Sequence, residues 1–197
     1  MSDVPGDDLQ QLRATCERLA ARLDRVESEL ALTRLANAYA FAADARDLDG
    51  LVEMFVDDVD CGRFGVGRDA LRDSYNIVHR QFYRTVHHVV GHTFELIDDD
   101  HASGRVMMRA EHEVGDRWVV GMLCMFDTYE RRDGTWYFVR RKPESWYSTE
   151  YDDQPRGPDW TPSGWEGRVP RLPQLNPTWA TFWEGDDERV ETLTRYP

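Results

Sequence analysis

The sequence predicts an α+β domain. Apolar side chains recur at helical spacing through about the first eighty residues, and two hairpin-like pairs of period-two segments follow them. Helices first and antiparallel strands afterwards define that class.

Leu9, Leu12, Cys16, Leu19, Leu23, Val26 and Leu30 alternate steps of three and four, the a/d spacing of a helix seam, with Arg, Glu and Asp between them. Two readings fit: a coiled coil, or an amphipathic helix folded back on its own domain. Either way the stripe wants a partner surface. The helical pattern continues through Leu32, Leu35, Tyr39 and Ala42, and Asp47 can cap a shorter helix presenting Leu48, Leu51, Val52 and Phe55. Residues 57–68 are glycine-bearing and irregular, with a short strand expected at 59–63. Asp69 opens a third helix carrying Ala70, Leu71, Tyr75, Val78 and Phe82.

Residues 86–97 and 102–113 read as strands joined by Asp98-Asp99-Asp100-His101, a polar turn of the kind that closes a hairpin. Residues 118–129 and 135–141 form a second hairpin, in which Asp133-Gly134 supplies the positive-φ position. After Lys142 the texture changes, since eight of the nine prolines and Trp146, Trp160, Trp165, Trp179 and Trp183 lie beyond it. Proline keeps such a segment extended while tryptophan needs burial. It is expected to wrap the domain or a neighbouring subunit, the alternative being a partly disordered tail. The chain thus divides into a helical extension (1–28), an α+β domain (29–142) and an extended tail (143–197).

At 197 residues and 41% hydrophobic content the chain can bury one sizeable core. The formal charge of -13, without a Lys/Arg cluster, excludes nucleic acid and anionic membrane surfaces as expected partners. Cys16, Cys61 and Cys124 are odd in number and widely spaced, so they read as core thiols in a reducing cytoplasm and not as a disulfide framework or zinc site. No leader opens the chain, and its longest apolar run, residues 118–126, is too short to cross a bilayer. A cytoplasmic protein with a small-molecule substrate is expected.

Three separated fragments carry acid/base chemistry. In residues 102–113 one strand face reads Ala102, Gly104, Val106, Met108, Ala110, His112, so His112 points to the small and apolar side, as a satisfied core histidine or as a pocket residue. Hairpin pairing brings His87 into the same region of the sheet. Asp44 follows the apolar run Ala40-Phe41-Ala42-Ala43, where a carboxylate needs a charged or donor partner unless it only caps the helix. His87 could be that partner: a carboxylate that touches an imidazole fixes its tautomer and makes it a better proton acceptor. Tyr39, about 140° round the helix from Asp44, offers a phenol to a developing oxyanion.

These fragments and their spacing resemble the SnoaL-like branch of the nuclear-transport-factor-2-like superfamily, over roughly residues 29–142. Asp44-Ala45-Arg46-Asp47-Leu48-Asp49-Gly50-Leu51 is similar to the helix segment bearing the catalytic aspartate in its scytalone dehydratase, hexachlorocyclohexane dehydrochlorinase and bile-acid dehydratase members, and Arg84-Thr85-Val86-His87 falls on their catalytic histidine. Ala110-Glu111-His112 resembles a segment with a second pocket histidine, and Tyr129-Glu130-Arg131-Arg132-Asp133-Gly134-Thr135-Trp136 resembles a final hairpin after which Arg141 matches a pocket arginine. The resemblance implies a cone-shaped fold with a curved antiparallel sheet packed on helices, no cofactor or metal, and a homo-oligomer, dimer or trimer. Leu123 and Met125 replace a polar pocket pair, and Ala43 a tyrosine, which implies a more apolar substrate. The spacing of Tyr39 from Asp44 hints at a polycyclic or polyketide-like one. Phe41, Met108 and Met125 are then expected beside Arg141 as substrate contacts.

The function expected on this basis is a cofactor-independent lyase of dehydratase type, with Asp44, His87, Tyr39 and His112 as catalytic residues. An isomerase or cyclase would use the same first proton abstraction. A binding or oligomerisation module, with Asp44 and His87 as a structural ion pair, and a metal site built from His87, His112 and Asp44 are the other readings.

Overall fold

The computed structural model describes residues 6–152 together with Thr161, Gly167, Val169 and Arg171. Helices α1 (Gly6–Ala45), α2 (Leu48–Glu53) and α3 (Arg68–His79) precede strands β1 (Thr85–Leu96), β2 (His101–Val114), β3 (Arg117–Arg132) and β4 (Thr135–Glu150). The strands form one antiparallel sheet in the order β1-β2-β3-β4. Helices packed on an antiparallel sheet make the α+β class expected from the sequence.

Only the C-terminal half of helix α1 packs on the domain, since none of residues 8–27 is buried. Ser28, Leu32, Ala36, Tyr39, Ala40 and Ala43 are buried, whereas Leu9, Leu12, Leu19, Leu23, Val26 and Leu30 are exposed. The seam therefore does not fold back on its own domain. Cys16 is exposed within it, so of the three expected core thiols only Cys124 is fully buried.

The end of α1 is set by local chemistry. Arg46 adopts φ 62°, and the Asp47 and Arg46 amides donate to the Ala42 and Ala43 carbonyls at 2.9 and 3.3 Å, a Schellman closure. The Arg46 guanidinium stabilises this conformation by donating to the Ala43 carbonyl, the Thr85 hydroxyl and the Phe82 carbonyl. Asp47 then caps α2 by accepting from the Gly50 amide at 2.9 Å. In place of a strand at 59–63 stands a 3₁₀ turn, Gly62–Phe64, whose Gly62 takes φ 58°. Helix α3 stops at His79, so Phe82 lies beyond it, although still buried.

Both expected hairpins form. Asp98 accepts from the Asp100 and His101 amides in the first turn, and Asp133 and Gly134 both take positive φ in the second. β4 continues through Pro143 to Glu150, past the strand end expected at 141. Proline is tolerated because β4 is an edge strand, whose outer amides need no ladder partner. The rest of the Pro/Trp-rich tail, apart from the four positions named above, lies outside the described residues.

The inner sheet face packs on α1 through Ala102, Val106 and Met108 of β2, Met125 and Tyr129 of β3 and Phe138 of β4. Towards the C-terminal end of α1 the packing opens into a cavity.

Candidate active site

The Asp44 carboxylate projects from the last turn of α1 onto the start of β1. Its Oδ1 lies 2.6 Å from His87 Nδ1 and accepts from the Thr85 hydroxyl at 2.8 Å, while its Oδ2 accepts from the His87 backbone amide at 2.8 Å. Burial raises the Asp44 pKa, but the hydrogen bonds and charge of His87, with Thr85, outweigh it and hold the carboxyl below its ordinary value. Asp44 is thus ionised near neutral pH. The Arg46 guanidinium donates to the Thr85 hydroxyl at 2.7 Å, completing a chain from Arg46 through Thr85 to Asp44 and His87.

The hairpin register explains why two histidines meet. Thr85 pairs with His112 and His87 with Ala110, so the rings lie diagonally on one sheet face, with centroids 5.6 Å apart and planes at 86°. Phe82 packs against His112 at 4.5 Å between centroids.

Both rings line a cavity of about 590 Å³, which Tyr39, Tyr75, His79, Phe82, Leu123, Met125 and Arg141 also border. The Tyr39 and Tyr75 hydroxyls are 3.0 Å apart, and burial raises the pKa of each phenol. Burial, helped by the positive charge of Arg46, pushes the His79 pKa down to about 4, so this ring is neutral at pH 7. Its Nδ1 is buried without a hydrogen-bond partner among the described residues.

On the sheet side, Arg141 is sandwiched between the rings of Tyr39 and Phe138, its guanidinium carbon 4.1 and 4.5 Å from their centres. Its side chain is 2% exposed, and Nη2 lies 3.2 Å from Oδ2 of the fully buried Asp127, which also accepts from Tyr129 at 2.9 Å. Nε, Nη1 and Nη2 nonetheless all lack a hydrogen-bond acceptor among the described residues. A buried cation with unused donors on a cavity wall is a ready place for a ligand oxygen.

Of the sequence-expected site residues, His87, His112, Tyr39, Arg141 and Met125 border the cavity, with Asp44 behind His87. Phe41 and Met108 do not. Phe41 lies about half a turn round α1 from the buried face and is 77% exposed, and Met108 is core beneath Ala36 and Ala40. Tyr75, His79, Thr85, Arg46 and Asp127 were missed. Polar members on the apolar stripe of α3, and an aspartate within an apolar strand, were the available signals. Among the described residues no three His, Cys, Asp or Glu side chains are placed to hold a metal ion. None of the described helices is long and apolar enough to cross a membrane.

Residues 24–142 match the SnoaL-like domain, and the chain belongs to that family. Among its relatives is the gamma-hexachlorocyclohexane dehydrochlorinase of Sphingobium indicum, 27% identical over an alignment of 134 positions that covers 64% of this chain and 86% of that protein. The structure of LinA is similar at 26% identity and a TM-score of 0.61, covering 70% of this chain and 98% of the other. A candidate scytalone dehydratase from Novosphingobium aromaticivorans shares the fold at 24% identity and a TM-score of 0.58, covering 72% and 96%.

Proposed function

We propose that this protein is a cofactor-independent lyase of dehydratase type in which His87 is the general base. The observation that carries the reading is the doubly held His87: ionised Asp44 engages both its backbone amide and its Nδ1, on the wall of a cavity sized for a small molecule. With the Nδ1 proton directed at Asp44, the Nε2 lone pair is the basic one. Relatives named as dehydrochlorinases support elimination as the reaction type.

The chemistry follows from the wall. His87 Nε2 takes a proton from carbon, and the electron pair flows towards an adjacent carbonyl, whose developing oxyanion the unused Arg141 donors stabilise. The enolate then reforms the carbonyl as the bond to a β-hydroxyl breaks. That oxygen leaves as water on taking a proton from imidazolium His87 or from the Tyr39 phenol. His112 supplies a second imidazole beside this step, and Leu123, Met125 and Phe82 favour a substrate that is otherwise apolar, consistent with a polycyclic or polyketide-like ligand.

The test is a panel of cyclic β-hydroxy ketones, followed by enone absorbance and, in deuterium oxide, by exchange at the α-carbon. The exchange readout also registers an isomerase or cyclase that shares the first step. Positioned general bases contribute about 10²–10⁴-fold. Wild-type turnover or exchange that falls by at least about 10² in His87→Ala supports the reading, and retained activity in that variant refutes it.

A further inference from the structure

The exposed seam of α1 is unused by its own domain. Leu9, Leu12, Leu19, Leu23, Val26 and Leu30 are 46–60% exposed, and Cys16 is exposed among them. Ser28 and Leu32, each two residues on from a seam position and so about 200° round the helix, are buried instead. The helix therefore holds its domain through its C-terminal half, while residues 8–27, none of them buried, carry most of the apolar stripe clear of it.

We infer that this stripe pairs with that of a second copy of the chain as a parallel, in-register coiled coil. The flanking charges specify the occupant. With Leu9, Cys16, Leu23 and Leu30 at a and Leu12, Leu19 and Val26 at d, the g positions are Asp8, Thr15, Arg22 and Glu29 and the e positions Arg13, Ala20, Glu27 and Arg34. A parallel pair sets each g residue against the e residue five positions on in the other copy. Asp8 then meets Arg13, Arg22 meets Glu27 and Glu29 meets Arg34, each with opposite charge and each twice by symmetry. In the antiparallel arrangement of fullest overlap, Asp8 would face Glu29 instead. All six charged residues are exposed.

Three heptads are marginal for a coil that must nucleate its own helices. Here the C-terminal half of α1 is fixed in the domain core, so the N-terminal half extends a helix that already exists. The pairing places both domains at the same end of the coil.

Light scattering on the full chain tests this. The mass is expected to be halved in Leu19→Asp, and in Arg22→Glu to give a measurable shift towards that smaller species, which Arg22→Glu combined with Glu27→Arg reverses. These are exposed positions, so folding of the domain, checked by circular dichroism, is retained. Oxidation by diamide at low micromolar protein is expected to join Cys16 to Cys16 in a covalent dimer that Cys16→Ala and Leu19→Asp both abolish. A monomeric wild type, or a mass that Leu19→Asp leaves unchanged, overturns the pairing. A halved mass in Leu19→Asp without wild-type Cys16 cross-linking overturns the parallel register.

Discussion

Asp44 holds His87 at two points, with Oδ1 2.6 Å from the ring Nδ1 and Oδ2 accepting the backbone amide at 2.8 Å. One carboxylate thus fixes both the ring orientation and the strand that carries it. Asp44→Asn keeps the size but puts an NH₂ group where an acceptor is needed. Turnover is expected to fall by about 10² or more, with little change in KM. Steady-state kinetics check this, and a loss confined to KM would assign Asp44 to binding instead.

His79 gives the stability a pH dependence. Its folded pKa of about 4 is below the ordinary 6.5, so the unfolded chain takes up the proton first as pH falls. Stability from this group is complete above pH 6.5 and declines towards pH 4. The lowered pKa of Asp44 acts in a lower window: its stabilisation is present above the unfolded carboxylate value and is lost as pH falls through the folded one. Urea midpoints at pH 7 and pH 5 should therefore lie closer together in His79→Phe than in the wild type; an equal gap would contradict the assignment.

Arg141 and Asp127 are buried together, and their fates are linked. Arg141→Met leaves Asp127 without its cation, a change expected to cost about 3–5 kcal/mol, much of which adding Asp127→Leu should restore. A double-mutant cycle by urea unfolding measures the coupling. Simple additivity would show that the two do not depend on each other.

Phe41 and Met108 separate surface from core. Phe41→Ser should alter stability by no more than about 0.5 kcal/mol and leave turnover intact, whereas Met108→Ala should cost about 2–5 kcal/mol. Thermal unfolding of the two variants checks this, and a large effect at Phe41 would mean that a partner covers it.

What was legible in the sequence follows from periodicity. The two hairpins, the Asp47 cap and the face of β2 that carries His112 could be read because each is a local pattern. The proximity of His87 and His112 came from a polar turn and strand pairing alone. Phe41 was misplaced as a substrate contact because four apolar residues in a row cannot all face one side of a helix. Arg46, Thr85 and Asp127 stayed hidden because their roles depend on contacts between distant elements. Arg46 also takes a left-handed conformation that nothing in its side chain announces. Pro143 suggested the end of a strand, yet it lies within β4, which tolerates it as an edge strand, a position not evident before the strand order.

The central claim is that His87 removes a proton from carbon. Its most direct test is solvent-deuterium incorporation at the α-carbon of a cyclic β-hydroxy ketone, compared between wild type and His87→Ala with ligand affinity measured in parallel. The account predicts incorporation by the wild type and a fall of about 10²–10⁴-fold in the variant at similar affinity; equal incorporation by both proteins would contradict it.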